Sequence, residues 1–156
     1  VFVLLTIPVL AQPDNRPSIA IVELEGLFIE AKKEVLLENF EDALVIYQAI
    51  INKDKSNAAA FYEIAKVYEK LDKRVDAKSN AKDAFVNENT NEWYGVYYAK
   101  FLVEDGEWRQ AADVYEAVIK VNPKKIEYYY EQAYLLTKAK DFNGAINVKP
   151  PEKIQQ

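Results

Sequence analysis

Three lysines, Lys32, Lys66 and Lys100, recur at intervals of 34 residues in a chain whose formal net charge is −5. Ammonium groups set out in this way pair with carboxylates and speed association with an acidic partner. Aromatic residues keep the same interval beside them, with Phe28, Tyr62 and Tyr130 in one series that has Val96 as its third member. Other residues with chemical potential are fewer. Glu104 and Asp105 have the composition of a glycosidase pair or a cation site, but they fall at a polar break after a helical stretch, where an exposed pair is ordinary. Tyr128, Tyr129 and Tyr130 have the composition of a stacking platform for bases, yet three consecutive residues of a helix point in different directions. The chain has no His and no Cys, which removes Cys/His zinc sites, cysteine nucleophiles, Ser-His-Asp triads and disulfides together. Glycine occurs only at positions 26, 95, 106 and 144, so neither a phosphate-binding loop nor a dinucleotide fingerprint can be written. The acidic balance speaks against general affinity for nucleic acid phosphates. No catalysis, cofactor or metal ion is expected, which leaves binding chemistry.

The elements that must position these residues are bounded by a length of 156 residues and 17.9 kDa, one domain's worth of chain. Half the residues are apolar and 29% are charged, the balance of a globular protein. Residues 1–11 (VFVLLTIPVLA) form an uncharged run as long as the apolar core of a signal peptide and too short for a membrane span. Val9 and Ala11 are small residues at the two positions a signal peptidase reads, so cleavage after Ala11 is expected, leaving Gln12 first and no Cys for a lipid anchor. With no Met anywhere, the start of the reading frame is expected to lie upstream. The competing expectation is that this run is a buried strand or helix; Pro8 and the sequence QPDNRP after Ala11 suit a processing site and linker better. The expectation is therefore an exported protein, periplasmic or extracellular, with 12–23 as linker and start of the first helix.

From there the chain repeats. Ala43, Ala77, Ala111 and Ala145 stand 34 residues apart, and Ala31, Ala65, Ala99 and Ala133 keep the same interval twelve residues earlier. A third column reads Phe40, Arg74, Trp108, Phe142; a fourth reads Tyr47, Ala81, Tyr115, Lys149; a fifth reads Leu27, Phe61, Gly95, Tyr129. Within each unit apolar residues recur at steps of three and four, as in Phe61, Ile64, Ala65, Tyr68 and again in Ala111, Val114, Tyr115, Val118, which is one face of a helix each time. Short polar breaks such as Asp72-Lys73 divide each unit, and longer ones such as Asn122-Pro123-Lys124 separate units. Two antiparallel helices per unit follow. Alanine in the two constant columns lets helix backbones approach, and a larger side chain at Ala65 or Ala99 would overpack the crossing.

These columns resemble the tetratricopeptide repeat. The family takes a small residue at its eighth position, Ala at its twentieth, and aromatic residues at its seventeenth and twenty-fourth. All four units comply at the alanines, three of four at Phe40, Trp108 and Phe142, and two at Tyr47 and Tyr115. Arg74 and Ala81 depart from the pattern, which predicts a looser second helix in the second unit. The units run 24–57, 58–91, 92–125 and an incomplete 126–148, with 149–156 as irregular tail. The fold class this resemblance implies is all-α: a right-handed superhelical solenoid of antiparallel helix pairs, about three and a half units long, whose last helix is stopped by Lys149-Pro150-Pro151.

The resemblance also implies that the second, fifth, ninth and twelfth positions of each unit face a concave groove. Those positions hold Phe28, Lys32, Tyr62, Lys66, Trp93, Val96, Lys100, Tyr130 and Tyr134. Aromatic residues supply contact area at low ordering cost, so the set suits a peptide or protein segment carrying acidic and aromatic or aliphatic residues. The same spacing also arises when a repeat merely inherits an ancestral lysine in each copy. The family's clamp for chaperone C-termini needs Asn where this chain has Ile29, Lys32 and Glu63, and that mode is not expected. Two expectations remain: a non-enzymatic interaction module that binds a partner in its groove, and a structural array within a larger envelope protein with no groove ligand. Neither involves nucleic acid or stable membrane insertion.

Overall fold

A computed structural model describes residues 19–151; the expected export signal at 1–11 lies outside the described residues, as do 12–18 and 152–156. Eight helices follow in order: α1 (Ile19–Leu36), α2 (Phe40–Lys53), α3 (Ala58–Lys70), α4 (Arg74–Asn87), α5 (Glu92–Glu104), α6 (Trp108–Val121), α7 (Ile126–Lys138) and α8 (Phe142–Asn147). Consecutive helices pack on one another from α1 to α8, so the chain is an all-α solenoid of helix pairs, with no strand among the described residues. Position numbers below count from the start of each unit, at Leu24, Ala58, Glu92 and Ile126. No helix of the described residues is long and apolar enough to cross a membrane.

The hairpins turn by one repeated device. Glu38, Asp72, Gly106 and Lys140, 34 residues apart, all have φ between 57° and 73°. In each turn the residue after them donates its N–H back to a carbonyl five residues earlier, as Asn39 does to Glu34 (2.9 Å) and Lys73 to Tyr68 (2.8 Å). The left-handed residue itself donates to the carbonyl three back, as in Gly106 to Val103 (3.0 Å). This pair of bonds satisfies carbonyls that a helix end leaves open. Only Gly106 adopts the conformation without a Cβ penalty; Glu38, Asp72 and Lys140 adopt it at a cost of about 1 kcal/mol each. Asn57 and Asn91 cap α3 and α5, accepting from the N–H of Ala60 (3.0 Å) and Trp93 (3.1 Å).

Both alanine columns sit where helices cross. Ala31, Ala43, Ala65, Ala77 and Ala111 are wholly inaccessible and Ala99 nearly so, whereas Ala133 and Ala145 in the last unit are only half-buried. Tyr47 is wholly buried too, its ring edge-on to Phe28 with centroids 5.4 Å apart. The expected looseness of the second unit is not what the structure shows. Helix α4 runs 14 residues, the same length as α2 and α6. Ala77, Ala81 and Ala84 are wholly buried, and Phe85 stacks on Tyr98 (6.2 Å) beside Ala81, occupying volume that the missing aromatic would take. Arg74, in the aromatic column, reaches the next unit: its guanidinium lies 5.5 Å from the Phe101 ring centroid and bonds the Phe101 carbonyl (3.1 Å), Asp105 (2.5 Å) and Glu104. Lys78 adds bonds to Asp105 and Glu107, and Arg109 joins the third unit to Asp141 of the fourth.

Gly95 marks the tightest approach. A Cβ there would lie 2.5 Å from Val118 Cγ2 and 3.2 Å from the Phe85 ring, and valine in a helix has little rotamer freedom to yield. Gly26, also inside a helix, would meet nothing within 4 Å. Gly26→Ala is therefore expected to stabilise by about 0.5–1 kcal/mol through helix propensity alone. Gly95→Ala should instead destabilise, overpacking outweighing propensity, by on the order of 1 kcal/mol. Urea unfolding of the two variants checks both signs.

Candidate functional site

The expected groove residues all lie on the first helices of their units, and their surroundings differ from one unit to the next. Between α1 and α3, Lys32 and Lys66 converge on one carboxylate. Glu63 accepts Lys32 at 2.7 Å and Lys66 at 3.3 Å, and its side chain is only 11% exposed. A carboxylate so far from water costs several kcal/mol unless paired, and two ammonium groups meet that requirement. Lys32 also lies over the Phe28 ring (5.9 Å) and Lys66 over Tyr62 (5.3 Å). A cleft of about 220 Å³ opens here, with Val35, Leu36 and Val67 as its apolar wall and Lys32, Lys66 and Lys70 at its edge.

One unit on, Lys100 bonds Glu69, which also accepts the hydroxyl of Tyr97 at 2.8 Å. Hydrogen bonding to Lys100 holds the Glu69 carboxyl below its ordinary range, and burial followed by the hydrogen bond to Glu69 pushes the Tyr97 hydroxyl up. Tyr62 packs against Tyr94 (5.0 Å) and Tyr97 (5.1 Å) across the joint between α3 and α5. The three lysines are thus not three free charges. Lys32 and Lys66 share Glu63, Lys100 pairs with Glu69, and two of the aromatic residues, Phe28 and Tyr62, are half-buried packing elements.

The residues that remain open lie further along. Trp93 is 64% exposed, with Lys125 5.4 Å above its ring; Lys125 in turn bonds Glu92, which accepts the Tyr128 hydroxyl at 2.9 Å. Val96 is half-buried and Lys100 exposed on the same helix. Tyr130 and Tyr134 of α7 are exposed, with Lys138 5.4 Å from the Tyr134 ring. At the opposite end an apolar cleft of about 340 Å³ lies between α1 and the start of α3, lined by Leu24, Phe28, Ile50 and Ala59 with Glu25 and Asn57.

Sequence inspection does not single out Glu63 and Glu69 as partners of the lysines, although the signal is present. Each lies 31 residues from its lysine (63 − 32 and 100 − 69), one repeat less one helical step. Of the other sequence candidates, Glu104 and Asp105 pair with Arg74, and Tyr128, Tyr129 and Tyr130 diverge: Tyr128 bonds Glu92, Tyr129 bonds the Pro123 carbonyl and Tyr130 is exposed. No cluster of acidic residues able to hold a metal ion occurs among the described residues.

Glu69 and Asp105 both have pKa values lowered by basic partners, Lys100 for the first and Arg74 then Lys78 for the second. Their contribution to stability is present above the ordinary carboxylate range and is lost as the pH falls through their folded values. Glu69→Gln is expected to make the acid limb of the stability profile shallower below about pH 4.5. Thermal melts between pH 3 and 7 check it, and a limb as steep as that of the unaltered chain would contradict the assignment.

No family model matches the sequence, and no curated protein matches it either. The fold does match solved structures. A crystal structure of MamA protein superposes with a TM-score of 0.62 at 18% identity, over 80% of this chain and 68% of that one. A tetratricopeptide repeat protein from Parabacteroides merdae gives 0.64 at 12% identity, over 81% of this chain and 50% of that one. The first such repeat domain of Spaghetti (RPAP3), bound to an HSP90 peptide, gives 0.60 at 17% identity, over 76% and 97%.

Proposed function

From a chain with the tetratricopeptide-repeat fold, we propose a non-enzymatic interaction module that holds a peptide or an extended segment of a partner protein against the face of its first helices. The observation that carries this reading is Trp93, 64% exposed under the Lys125 ammonium in a row that includes Lys100 and Tyr134. Large exposed aromatic side chains on an ordered helix are the usual anchors of protein contacts. Support also comes from a neighbour in fold whose structure contains a bound HSP90 peptide. Because Lys32, Lys66 and Lys100 already serve Glu63 and Glu69, the ligand's dominant contribution is apolar and aromatic. Acidic groups in it would have to compete with Glu69 for Lys100 and with Glu92 for Lys125.

Reversing the charge of the three lysines would set new carboxylates against buried Glu63 and confuse binding with unfolding. Trp93→Ala and Tyr134→Ala avoid this. Peptides selected from a random library on the purified chain are expected to bind the double variant at least about tenfold more weakly, the loss of one good aromatic anchor. Calorimetry of selected peptides measures it, and equal affinity for both proteins would remove the groove from the account.

We further propose that the protein works outside the cytoplasm after loss of residues 1–11, on the strength of their apolar run and of Val9 and Ala11 before Gln12. Amino-terminal sequencing of protein recovered from the host's envelope and medium should begin at Gln12. Recovery in the soluble cytoplasmic fraction with residues 1–11 attached would reject export.

A further inference from the structure

The third residue of a unit meets the unit before it. In the third unit it is Tyr94, buried among Ala58, Ala84 and Tyr62, whose ring lies 5.0 Å away. In the fourth unit it is Tyr128, which bonds Glu92 and lies 5.8 Å from the Tyr115 ring. In the second unit it is Ala60, wholly buried and ending at its Cβ. A tyrosine of the following unit thus closes two of the joints, and the joint between the first and second units has none.

The apolar cleft of about 340 Å³ lies at that same joint. Tyr94 packs on positions 1, 5 and 27 of the unit before it. One unit earlier those positions are Leu24, Phe28 and Ile50, and all three line the cleft. Lys125, which stands over the Tyr128 ring (5.3 Å), occupies position 34, and so does Asn57 at the cleft. The cleft therefore lies where the series of tyrosines is interrupted, between α1 and α3, and the short side chain of Ala60 sets it. Leu24 and Ile50 are larger than Ala58 and Ala84 and take up part of a ring's volume. What remains is still in the range of about 300–1,000 Å³ that bound ligands occupy. Phe28, in the place of Tyr62, offers an occupant an aromatic partner. Among the lining residues only Glu25 is charged, and it is exposed, so an uncharged ring enters without burying a charge.

We propose that this cleft takes an aromatic side chain of the bound peptide, in the place that Tyr94 and Tyr128 take at the other two joints. The inference rests on the peptide-binding reading above and adds to it a second anchor, separate from Trp93 and Tyr134. A ligand is then held by aromatic residues at two places: it lays apolar groups against Trp93 and inserts a ring of its own between α1 and α3. Burial of that ring against Leu24, Phe28 and Ile50 supplies the affinity.

Titration of the full chain with 4-methylphenol, the isolated tyrosine side chain, to about 10 mM reads the cleft alone. Saturable amide shifts in the NMR spectrum are expected at Leu24, Phe28, Ile50 and Ala59. Ala60→Tyr supplies the ring from within and should weaken 4-methylphenol at least about tenfold. Ala59→Trp, which repeats Trp93 at a half-buried position, serves if Ala60→Tyr loses helicity by circular dichroism. Peptides selected on the unaltered chain should carry an aromatic residue whose change to alanine costs about tenfold in affinity for that chain and little for the blocked variant. Absence of 4-methylphenol shifts at the cleft, including the case in which residues 12–18 fill it, would overturn the proposal. So would peptide affinity that the blocking variant leaves unchanged. Trp93→Ala with Tyr134→Ala reads the other anchor, so the groove and the cleft fail independently.

Discussion

The solenoid depends on how closely its helices can cross. Ala31, Ala43, Ala65, Ala77, Ala99 and Ala111 leave essentially no surface to water, and at Gly95 not even a methyl group fits between Val118 and Phe85. A side chain one carbon larger at such a crossing moves a helix axis, and a helix pair that cannot bury its faces alone transmits that movement along the array. Small residues therefore recur at every 34th position. Around them the larger residues are free to vary, provided the volume is filled, which is why Phe85 and Tyr98 can occupy the space beside Ala81.

Outside the crossings, the joints use whatever chemistry the exposed cells contain. Arg74 replaces an aromatic residue and gains Glu104, Asp105 and the Phe101 carbonyl in the next unit. Fork-shaped bonding of a guanidinium to several acceptors across a joint fixes orientation as much as it contributes energy. On the first-helix face Glu63 and Glu69 perform the corresponding task with lysine. The consequence for binding is a division of that face. Its early part is occupied with holding α1, α3 and α5 together, and its later part, at Trp93 and Tyr134, is exposed.

Fold and periodicity were legible in the chain because they follow from local rules: apolar residues at steps of three and four make a helix face, and alanines at a constant interval mark equivalent crossings. The turns were legible only as polar breaks. That Glu38, Asp72 and Lys140 all adopt the left-handed conformation of Gly106 has no signature in their residue types. Arg74 and Ala81 pointed to looseness when taken against a pattern, because a pattern cannot show what another helix places beside them.

By itself the sequence determined the helix pairs, their order, the small side chains at their crossings and the absence of any histidine or cysteine chemistry, all of which depend on residue type and on spacing within one unit. Only the tertiary structure decided which lysines are already paired and which aromatic residues are packed. Those outcomes depend on what the next unit brings to within a few ångströms: Glu63 reaches Lys32 at 2.7 Å across 31 residues of chain. A charge reads the same in a sequence whether it faces solvent or its own partner, and the free energy of the two situations differs because burial and pairing are properties of the assembled joint.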